Sequence, residues 1–238
     1  MSGDQTTRPK PGGRRSDAAL EWRASDVPVS ARFGDPYYSL EDGLAESRHV
    51  FLAGNGLPER LRAGFTVAEL GVGTGLNLLA LAHAAGERGV SVRYVGFEAY
   101  PLPAAALARA LSPFDDLADW AALLVEAWRP EGFRTQIGSV TAEIRMGDAR
   151  AEVPAWEGHA DAWFLDGFAP VKNPQMWEPA LLSAVAERTA PGGTFATYTA
   201  AGAVRRALAE AGFAVERVPG FGHKRHMSRG VLSGGTPA

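Results

Sequence analysis

The fold is indicated by one glycine-rich stretch, Glu69-Leu70-Gly71-Val72-Gly73-Thr74-Gly75-Leu76-Asn77. An apolar run precedes it at 65–70, which is typical of a buried parallel strand, and a Leu- and Ala-rich run follows at 76–85, which favours a helix. Glycines between a strand and a helix let the backbone turn tightly and approach a ligand without Cβ clashes. The stretch therefore predicts a strand, a ligand-binding turn and a helix in succession.

The spacing of these glycines distinguishes among the ligands that such turns bind. Dinucleotide-binding turns have the pattern G-x-G-x-x-G, and phosphate-binding loops have G-x-x-x-x-G-K-[ST]. Here the pattern is G-x-G-x-G, with Leu76 where the dinucleotide pattern needs glycine. Glu69, two residues before the first glycine, suits a cationic ammonium and not a pyrophosphate. S-adenosylmethionine carries such an ammonium and no phosphate, so we expect the turn to bind it; the alternative is a plain glycine-rich turn.

The rest of the chain alternates between strands and helices. Apolar or alternating runs predict strands at 65–70, 91–97, 140–146, 161–165, 194–199 and 213–218, and a seventh that ends at 231–232. Helical runs lie at 42–52, 76–85, 103–111, 117–128, 176–189 and 204–211. This order predicts an α/β fold: a doubly wound, Rossmann-like, mostly parallel seven-stranded sheet, as in class I S-adenosylmethionine-dependent methyltransferases.

The N-terminal part of the chain differs from this pattern. Residues 1–25 are polar and rich in glycine and proline, which predicts a disordered tail, and 26–238 form a single predicted methyltransferase domain. Short extended stretches broken by Pro28 and Pro36 predict a small hairpin as an N-terminal extension of that domain. The tail lacks the apolar segment of a secretory signal, and no run of about 18 apolar residues occurs. We therefore expect a cytoplasmic protein that does not contact a membrane.

Composition excludes several kinds of chemistry. The absence of cysteine excludes disulfides, thiolate metal sites and cysteine nucleophiles. The five histidines lack ligand spacing, so no metal site is expected. The net charge is −3, but 1–25 and 201–238 are net positive around an acidic middle. Basic clusters attract phosphate backbones, yet solubility and chance explain this imbalance better, so charge alone does not identify a nucleic-acid binder.

Acidic residues at the ends of predicted strands are the candidate binding groups, because ligands of open α/β sheets lie beyond the carboxyl ends of the strands. Glu98 ends the second predicted strand, where a carboxylate accepts ribose hydroxyls. Asp148 follows the third and is expected to accept the adenine amine. Asp166 ends the strand at 161–165, and Phe168 beside it is expected to wall the reaction pocket. The alternatives are a solvated Glu98 and an ordinary Gly-Asp turn at Asp148.

Six stretches occur in a fixed order along the chain. They are DVPVS at 26–30, FLAGN at 51–55, ELGVGTGLN at 69–77, FEAYPL at 97–102, WFLDGFAPVKNPQMW at 163–177 and GFGHKR at 220–225. Together they resemble the methyltransferase domain of the MnmC family, the bifunctional tRNA 5-methylaminomethyl-2-thiouridine biosynthesis proteins. The resemblance extends over about 25–232, and the stretch at 163–177 is its most specific part. The family's turn usually has Phe where this chain has Val72.

The resemblance implies an activity: methylation of the 5-aminomethyl group of a modified wobble uridine in tRNA. The partner would be tRNA, contacted at its anticodon stem-loop. Bifunctional members also carry an FAD-dependent oxidoreductase domain. We expect this chain to be a standalone member without that domain, and whether a separate oxidoreductase supplies the substrate stays open. The resemblance assigns S-adenosyl-L-methionine to Glu69, Gly71, Gly73, Gly75, Glu98 and Asp148, and the reaction site to Asp166 and Phe168.

The substrate would be bound by basic and polar residues near the predicted reaction site. Lys172, Lys224 and Arg225 are candidates for contacts to tRNA phosphates, and Asn173 for a contact to the substrate. Asp166 is expected to accept a hydrogen bond from the substrate amine and to orient or deprotonate it. Two other functions stay open: methylation of a small-molecule amine, and a non-catalytic S-adenosylmethionine-binding module.

Overall fold

The computed structural model describes residues 20–23 and 26–233 and is built around one central sheet. The strands are β1 (Leu20–Trp22), β2 (Pro28–Ser30), β3 (Asp35–Pro36), β4 (Thr66–Leu70), β5 (Val92–Glu98), β6 (Phe133–Ile137), β7 (Val140–Met146), β8 (Ala160–Leu165), β9 (Thr189–Thr197), β10 (Phe213–Pro219) and β11 (His226–Leu232). The helices are α1 (Gly43–Ser47), α2 (Leu76–Arg88), α3 (Ala104–Leu111), α4 (Ala118–Ala127), α5 (Ala149–Ala155), α6 (Pro179–Glu187) and α7 (Gly202–Glu210).

The central sheet confirms the predicted α/β class. Its strand order is β10-β11-β9-β8-β4-β5-β7-β6, and the five central strands, from β9 to β7, pair in parallel. Helices cover both faces of the sheet. Because side chains alternate along each strand, neighbouring residues of one strand pack against helices on opposite faces. In β8, Phe164 packs in the apolar cluster that contains α2, whereas Trp163 and Leu165 pack with α5, α6 and α7. The chain is therefore doubly wound, as predicted.

The sheet has eight strands, not the predicted seven. The additional strand is β6, which pairs antiparallel with β7 across a turn at Gly138, where φ is +55°. Its sequence, Phe-Arg-Thr-Gln-Ile, alternates between half-buried and exposed residues, as expected of an edge strand with one solvated face. The prediction missed β6 because the strand is only five residues long and lacks a continuous apolar run. It also missed α5, which begins directly after Asp148 and contains Pro154.

The N-terminal part forms a small antiparallel sheet of its own. The predicted hairpin is present as β2 and β3, and β1 pairs with β2 on the other side. The residues of β1 belong to the stretch predicted to be a disordered tail, and the rest of that tail, 1–19 and 24–25, lies outside the described residues. The predicted helix at 42–52 begins as α1, capped by Asp42, and continues as a π-helical turn at Arg48–Leu52.

The FLAGN stretch has a structural role that centres on Asn55. Its side-chain amide donates to the backbone oxygens of Phe51 and Trp163, at 2.9 and 3.2 Å, and accepts from the Thr194 hydroxyl at 2.6 Å. The side chain therefore joins the segment before β4 to β8 and β9. Asn55 is buried, so its amide depends on these three partners in place of water.

We expect Asn55→Ala to lower the free energy of unfolding by about 2 to 4 kcal/mol, because buried polar groups lose their partners. Urea denaturation of the two proteins measures the change. Gln136→Ala is the matched control, since it removes an exposed amide on β6 and should change stability by less than about 0.5 kcal/mol. Equal losses in the two variants would contradict the structural role of Asn55.

Candidate functional site

The glycine-rich turn joins the carboxyl end of β4 to the start of α2, as predicted. Gly71 has φ +79°, and a Cβ at this position would collide with the backbone oxygen of Asp166. Its N–H donates to the backbone oxygen of Phe97, at 2.9 Å, which ties the turn to the end of β5. Only glycine satisfies both the backbone conformation and this close approach. The turn is therefore held against two neighbouring strand ends, with its backbone facing a cavity.

Glu98 lies at the end of β5 and faces this turn. Its two carboxylate oxygens accept the N–H groups of Gly73 and Tyr100, at 2.9 and 2.7 Å. The side chain is buried but lines the cavity. Burial raises the pKa of Glu98, and the backbone N–H donors partly offset the increase. Each carboxylate oxygen has a second lone pair, so Glu98 can accept a ligand hydroxyl without losing these bonds.

Asp166 lies at the carboxyl end of β8 and belongs to a network of polar side chains. The Asn77 amide donates to Asp166 at 2.8 Å and to Glu69 at 2.5 Å, and its oxygen accepts from the Ser47 hydroxyl. The Tyr94 hydroxyl donates to the second oxygen of Glu69. Both N–H groups and the oxygen of the Asn77 amide are therefore hydrogen-bonded, and Asn77 fixes the orientation of the Asp166 carboxylate.

The two carboxyl groups of this network have shifted pKa values. Burial, followed by the negative charge of Glu46, raises the pKa of Asp166 to about 7, although Asn77 and Lys224 oppose the shift. Burial and the Asp166 charge raise the pKa of Glu69. Glu69 is fully buried and does not line the cavity, whereas Asn77 and Asp166 do. The predicted direct contact of Glu69 with the cofactor is therefore not supported: the structure places Glu69 behind Asn77.

A cavity of about 390 Å³ connects these groups. One wall is the glycine-rich turn with Glu98, and another is the loop that contains Asp166 and Phe168. Residues of the N-terminal hairpin and of α1 form further parts of the wall. Asn173, predicted to contact the substrate, also lines the cavity. The volume falls within the range of small-molecule sites, about 300 to 1,000 Å³.

Phe168 belongs to an aromatic group at one side of the cavity. Its ring centroid lies 4.9 Å from that of Phe33 and 5.1 Å from that of Tyr37. Phe33 in turn lies 5.8 Å from Tyr100, whose ring is also contacted by the Arg32 guanidinium at 4.6 Å. The prediction missed Phe33 and Tyr37. The only sequence signal for them is the concentration of aromatic residues beside the DVPVS stretch.

A charged pair forms another part of the cavity wall. Lys224 donates to Glu46 at 2.7 Å, and its ammonium lies 4.0 Å from the centroid of the Tyr198 ring. Lys224 was predicted to contact substrate, and the structure does place it at the cavity. Glu46 and Tyr198 were not predicted, because α1 and the segment after β9 carry no motif that marks them.

Four other predicted residues lie outside the cavity wall: Gly75, Asp148, Lys172 and Arg225. Gly75 is the N-cap of α2, and a Cβ there would collide with the Leu124 side chain. Asp148 caps α5 and binds Arg150 at 2.6 Å, which lowers the pKa of its carboxyl group. Its neighbours Gly147 and Ala149 line the cavity but Asp148 does not, so the predicted adenine contact is not supported. Lys172 binds Asp35 at 2.8 Å, and Arg225 is exposed in the loop between β10 and β11.

Two further properties of residues 20–23 and 26–233 concern metals and membranes. No group of three or more potential metal ligands was found within these ranges. No helix in the same part of the chain is long and apolar enough to cross a membrane.

Comparisons with known proteins identify the family of this chain. Residues 115–233 match a family described as S-adenosyl-L-methionine-dependent methyltransferase. The chain is 46% identical to the tRNA 5-methylaminomethyl-2-thiouridine biosynthesis bifunctional protein MnmC of Chromohalobacter salexigens, over 90% of this chain and 33% of the relative. It is 44% identical to the protein of that name from Pseudomonas aeruginosa, over 91% of this chain and 35% of the relative. The chain thus spans about a third of the length of these curated relatives.

The solved structures show the same similarity. The crystal structure of MNMC2 from Aquifex aeolicus superposes with a TM-score of 0.72 at 26% identity, over 93% of this chain and 73% of that one. A precorrin-6y C5,15-methyltransferase from Geobacter metallireducens has a TM-score of 0.50 at 12% identity, over 88% of this chain and 96% of its own, and shows the shared fold alone.

Proposed function

Because the chain belongs to the S-adenosyl-L-methionine-dependent methyltransferase family, we propose that it methylates the 5-aminomethyl group of a modified wobble uridine in tRNA. Family membership confirms the predicted cofactor and the predicted class of enzyme. The observation that carries the proposed acceptor is the position of Asp166. This carboxyl group, whose pKa is raised to about 7, lies in the cavity that the glycine-rich turn, Glu98 and Glu46 line. Such a group suits an amine acceptor.

The residues that line the turn fit the cofactor. Gly71 and Gly73 present backbone alone to the cavity and form the cofactor cradle. A Cβ on Gly71 would collide with the Asp166 backbone oxygen, and one on Gly73 with the Tyr37 ring. Gly75 lies outside the cavity wall, against Leu124. Glu98 is turned toward this cradle, so we assign the ribose hydroxyls to its carboxylate. When bound, the cofactor supplies an electrophilic methyl group, and the protein's part is to position the acceptor and exclude water. Glu69 supports the cradle indirectly, through Asn77.

Asp166 acts on the proton of the acceptor. An alkyl amine is protonated near neutral pH and has no free lone pair until it loses a proton. The Asp166 carboxylate accepts a hydrogen bond from this ammonium and then its proton, because its raised pKa makes it a better base than an ordinary aspartate. Asn77 holds the carboxylate in place during the transfer. Phe168 and its aromatic neighbours offer apolar faces against which a uracil ring can stack.

Binding of tRNA would use the surface around the cavity mouth. Arg225 lies beside Lys224 in an exposed loop, and Val171 is an exposed apolar residue in the loop that also contains Asn173. We assign to Arg225 a contact with the tRNA phosphates. The part of the tRNA that binds is assigned to the anticodon stem-loop. The reaction is assigned to the cytoplasm, where tRNA is found. The relatives are described as bifunctional, and we assign the supply of the substrate amine to an FAD-dependent oxidoreductase activity.

Transfer of labelled methyl groups from S-adenosyl-L-methionine tests the proposal. The expected acceptor is tRNA from a strain that lacks this gene, and mass analysis of its nucleosides should show one added methyl group on the aminomethyl uridine. Labelling of free amine metabolites, with none in tRNA, would instead identify a small-molecule methyltransferase. Affinity for tRNA should fall steeply between about 50 and 200 mM salt, because phosphate contacts release counterions.

The matched pair Arg225→Ala and Arg93→Ala locates the tRNA surface. Arg225 is exposed and follows Lys224, which lines the cavity, whereas Arg93 is exposed near the opposite end of β5 from Glu98. We expect the first variant to reduce the salt dependence of tRNA affinity and the second to leave it unchanged. Equal effects would place the tRNA on another surface.

A further inference from the structure

We infer that Glu46 and the ring of Tyr198 form a binding site for a primary alkylammonium group, and that Lys224 occupies this site until the substrate amine displaces it. The inference rests on the proposed function, since it identifies which side chains recognise the aminomethyl group. It gives roles to Glu46 and Tyr198, and it replaces the predicted phosphate contact of Lys224 with a role inside the cavity.

The carboxylate of Glu46 is held ready for a cation. Its side chain is only 10% exposed, and one oxygen accepts the N–H of Ser39 at 3.0 Å. The other oxygen faces Lys224 at 2.7 Å. A carboxylate with so little access to water requires a positive partner, which makes this position a strong site for an ammonium group.

The ring of Tyr198 completes the site. The Lys224 nitrogen lies 4.0 Å from the ring centroid, within the distance at which an aromatic face attracts a cation. The Tyr198 hydroxyl donates to the backbone oxygen of Gly167 at 2.7 Å, so the ring is fixed to the loop that follows Asp166. A carboxylate and an aromatic face therefore bind the same ammonium from two sides.

This site adjoins the reacting group. Glu46, Tyr198, Lys224 and Asp166 all line one cavity. The charges of Glu46 and Lys224 also shift the pKa of Asp166 in opposite directions, so both lie within electrostatic reach of it. An ammonium has three N–H donors, so a single substrate ammonium can be shared between Glu46 and Asp166.

Lys224 is suited to leave the site. Its side chain is 46% exposed, and it reaches Glu46 from the loop between β10 and β11, whose residues 222–225 are exposed. When a substrate ammonium replaces it, the carboxylate keeps a positive partner and the lysine gains hydration, so the exchange costs little. A uridine without an amine offers no such replacement and leaves Lys224 in place. The exchange would therefore select for substrates that carry an amine.

The test compares the binding of two nucleosides, 5-aminomethyluridine and uridine, by calorimetry with S-adenosylhomocysteine present. Lys224→Met keeps the length of the side chain but removes the competing ammonium, and we expect it to bind 5-aminomethyluridine about tenfold more tightly. Glu46→Gln should bind it about tenfold more weakly. Uridine should bind equally to all the proteins. Arg134→Met on β6, which removes an exposed ion pair with Glu143 of β7, is the control and should match the wild type.

Unchanged or weaker binding of 5-aminomethyluridine to Lys224→Met would overturn the inference, because a lysine that contacts tRNA phosphate or only neutralises Glu46 predicts one of those results. Lys224→Met carries the test even if Glu46→Gln fails to fold. The nucleosides carry no tRNA, so the outcome is separate from the proposed function. If the nucleoside results are as expected but tRNA is not methylated, the proposed function fails and the ammonium site stands.

Discussion

Asp166→Asn should lower kcat by roughly 100-fold or more while leaving the affinity for S-adenosyl-L-methionine nearly unchanged. The asparagine side chain has almost the same size and can still contact Asn77, but it cannot accept a proton from the substrate ammonium. The cofactor is assigned to the glycine-rich turn and Glu98, which the substitution does not touch. Steady-state kinetics with tRNA, together with calorimetry of cofactor binding, separates the two effects. Near-normal turnover would remove Asp166 from its proposed role.

The pH dependence of the wild type gives a second measure of the same group. Asp166 acts as a base only when it is deprotonated, and its pKa is raised to about 7. The rate constant kcat/KM should therefore rise with pH as the solution passes through about 7, whereas an ordinary aspartate would already be deprotonated well below that pH. The residual activity of Asp166→Asn should lack this rise. Asp119→Asn, on the exposed side of α4, should keep it.

The parallel core could be predicted because its strands carry their own signal. Strands buried on both faces, such as β4 and β8, read as short apolar runs, and the turn after β4 is marked by its glycines. The edge strand β6 has one solvated face and mixed polarity, so it resembles a loop in the sequence. Glu98 and Asp166 line one cavity for a related reason: the carboxyl ends of parallel strands meet at one edge of the sheet.

The remaining side chains of the site could not be predicted in the same way. Phe33 and Glu46 reach the cavity from elements before the sheet, and Tyr198 and Lys224 from elements after most of it. No periodicity relates these positions, because tertiary packing alone brings them together. Glu69 shows the opposite case: its place in the motif suggested a ligand contact, yet it bonds to Tyr94 and Asn77 and is closed off from the cavity. Position along a strand fixes the end of the sheet that a residue approaches but not the direction of its side chain.

Gly71→Ala should weaken S-adenosyl-L-methionine binding by roughly 100-fold or more, which corresponds to at least about 2.7 kcal/mol. An alanine at φ +79° costs about 1 to 2 kcal/mol in the folded state, and its Cβ would collide with the backbone oxygen of Asp166. The turn and the Asp166 loop must then move apart. This displaces the cofactor cradle and the proposed base together, so turnover should fall further than affinity.

Gly89→Ala is the matched control for this variant. Gly89 is the C-cap of α2, the helix that follows the glycine-rich turn. Its φ is also positive, +64°, but a Cβ there would meet open space. It should lose about 1 to 2 kcal/mol of stability and keep its cofactor affinity, as measured by urea denaturation and calorimetry. Backbone strain is common to both variants, and contact with the Asp166 loop belongs to Gly71 alone. If both variants lost affinity equally, general destabilisation would explain the loss, and the cradle would not depend on the close approach of turn and loop.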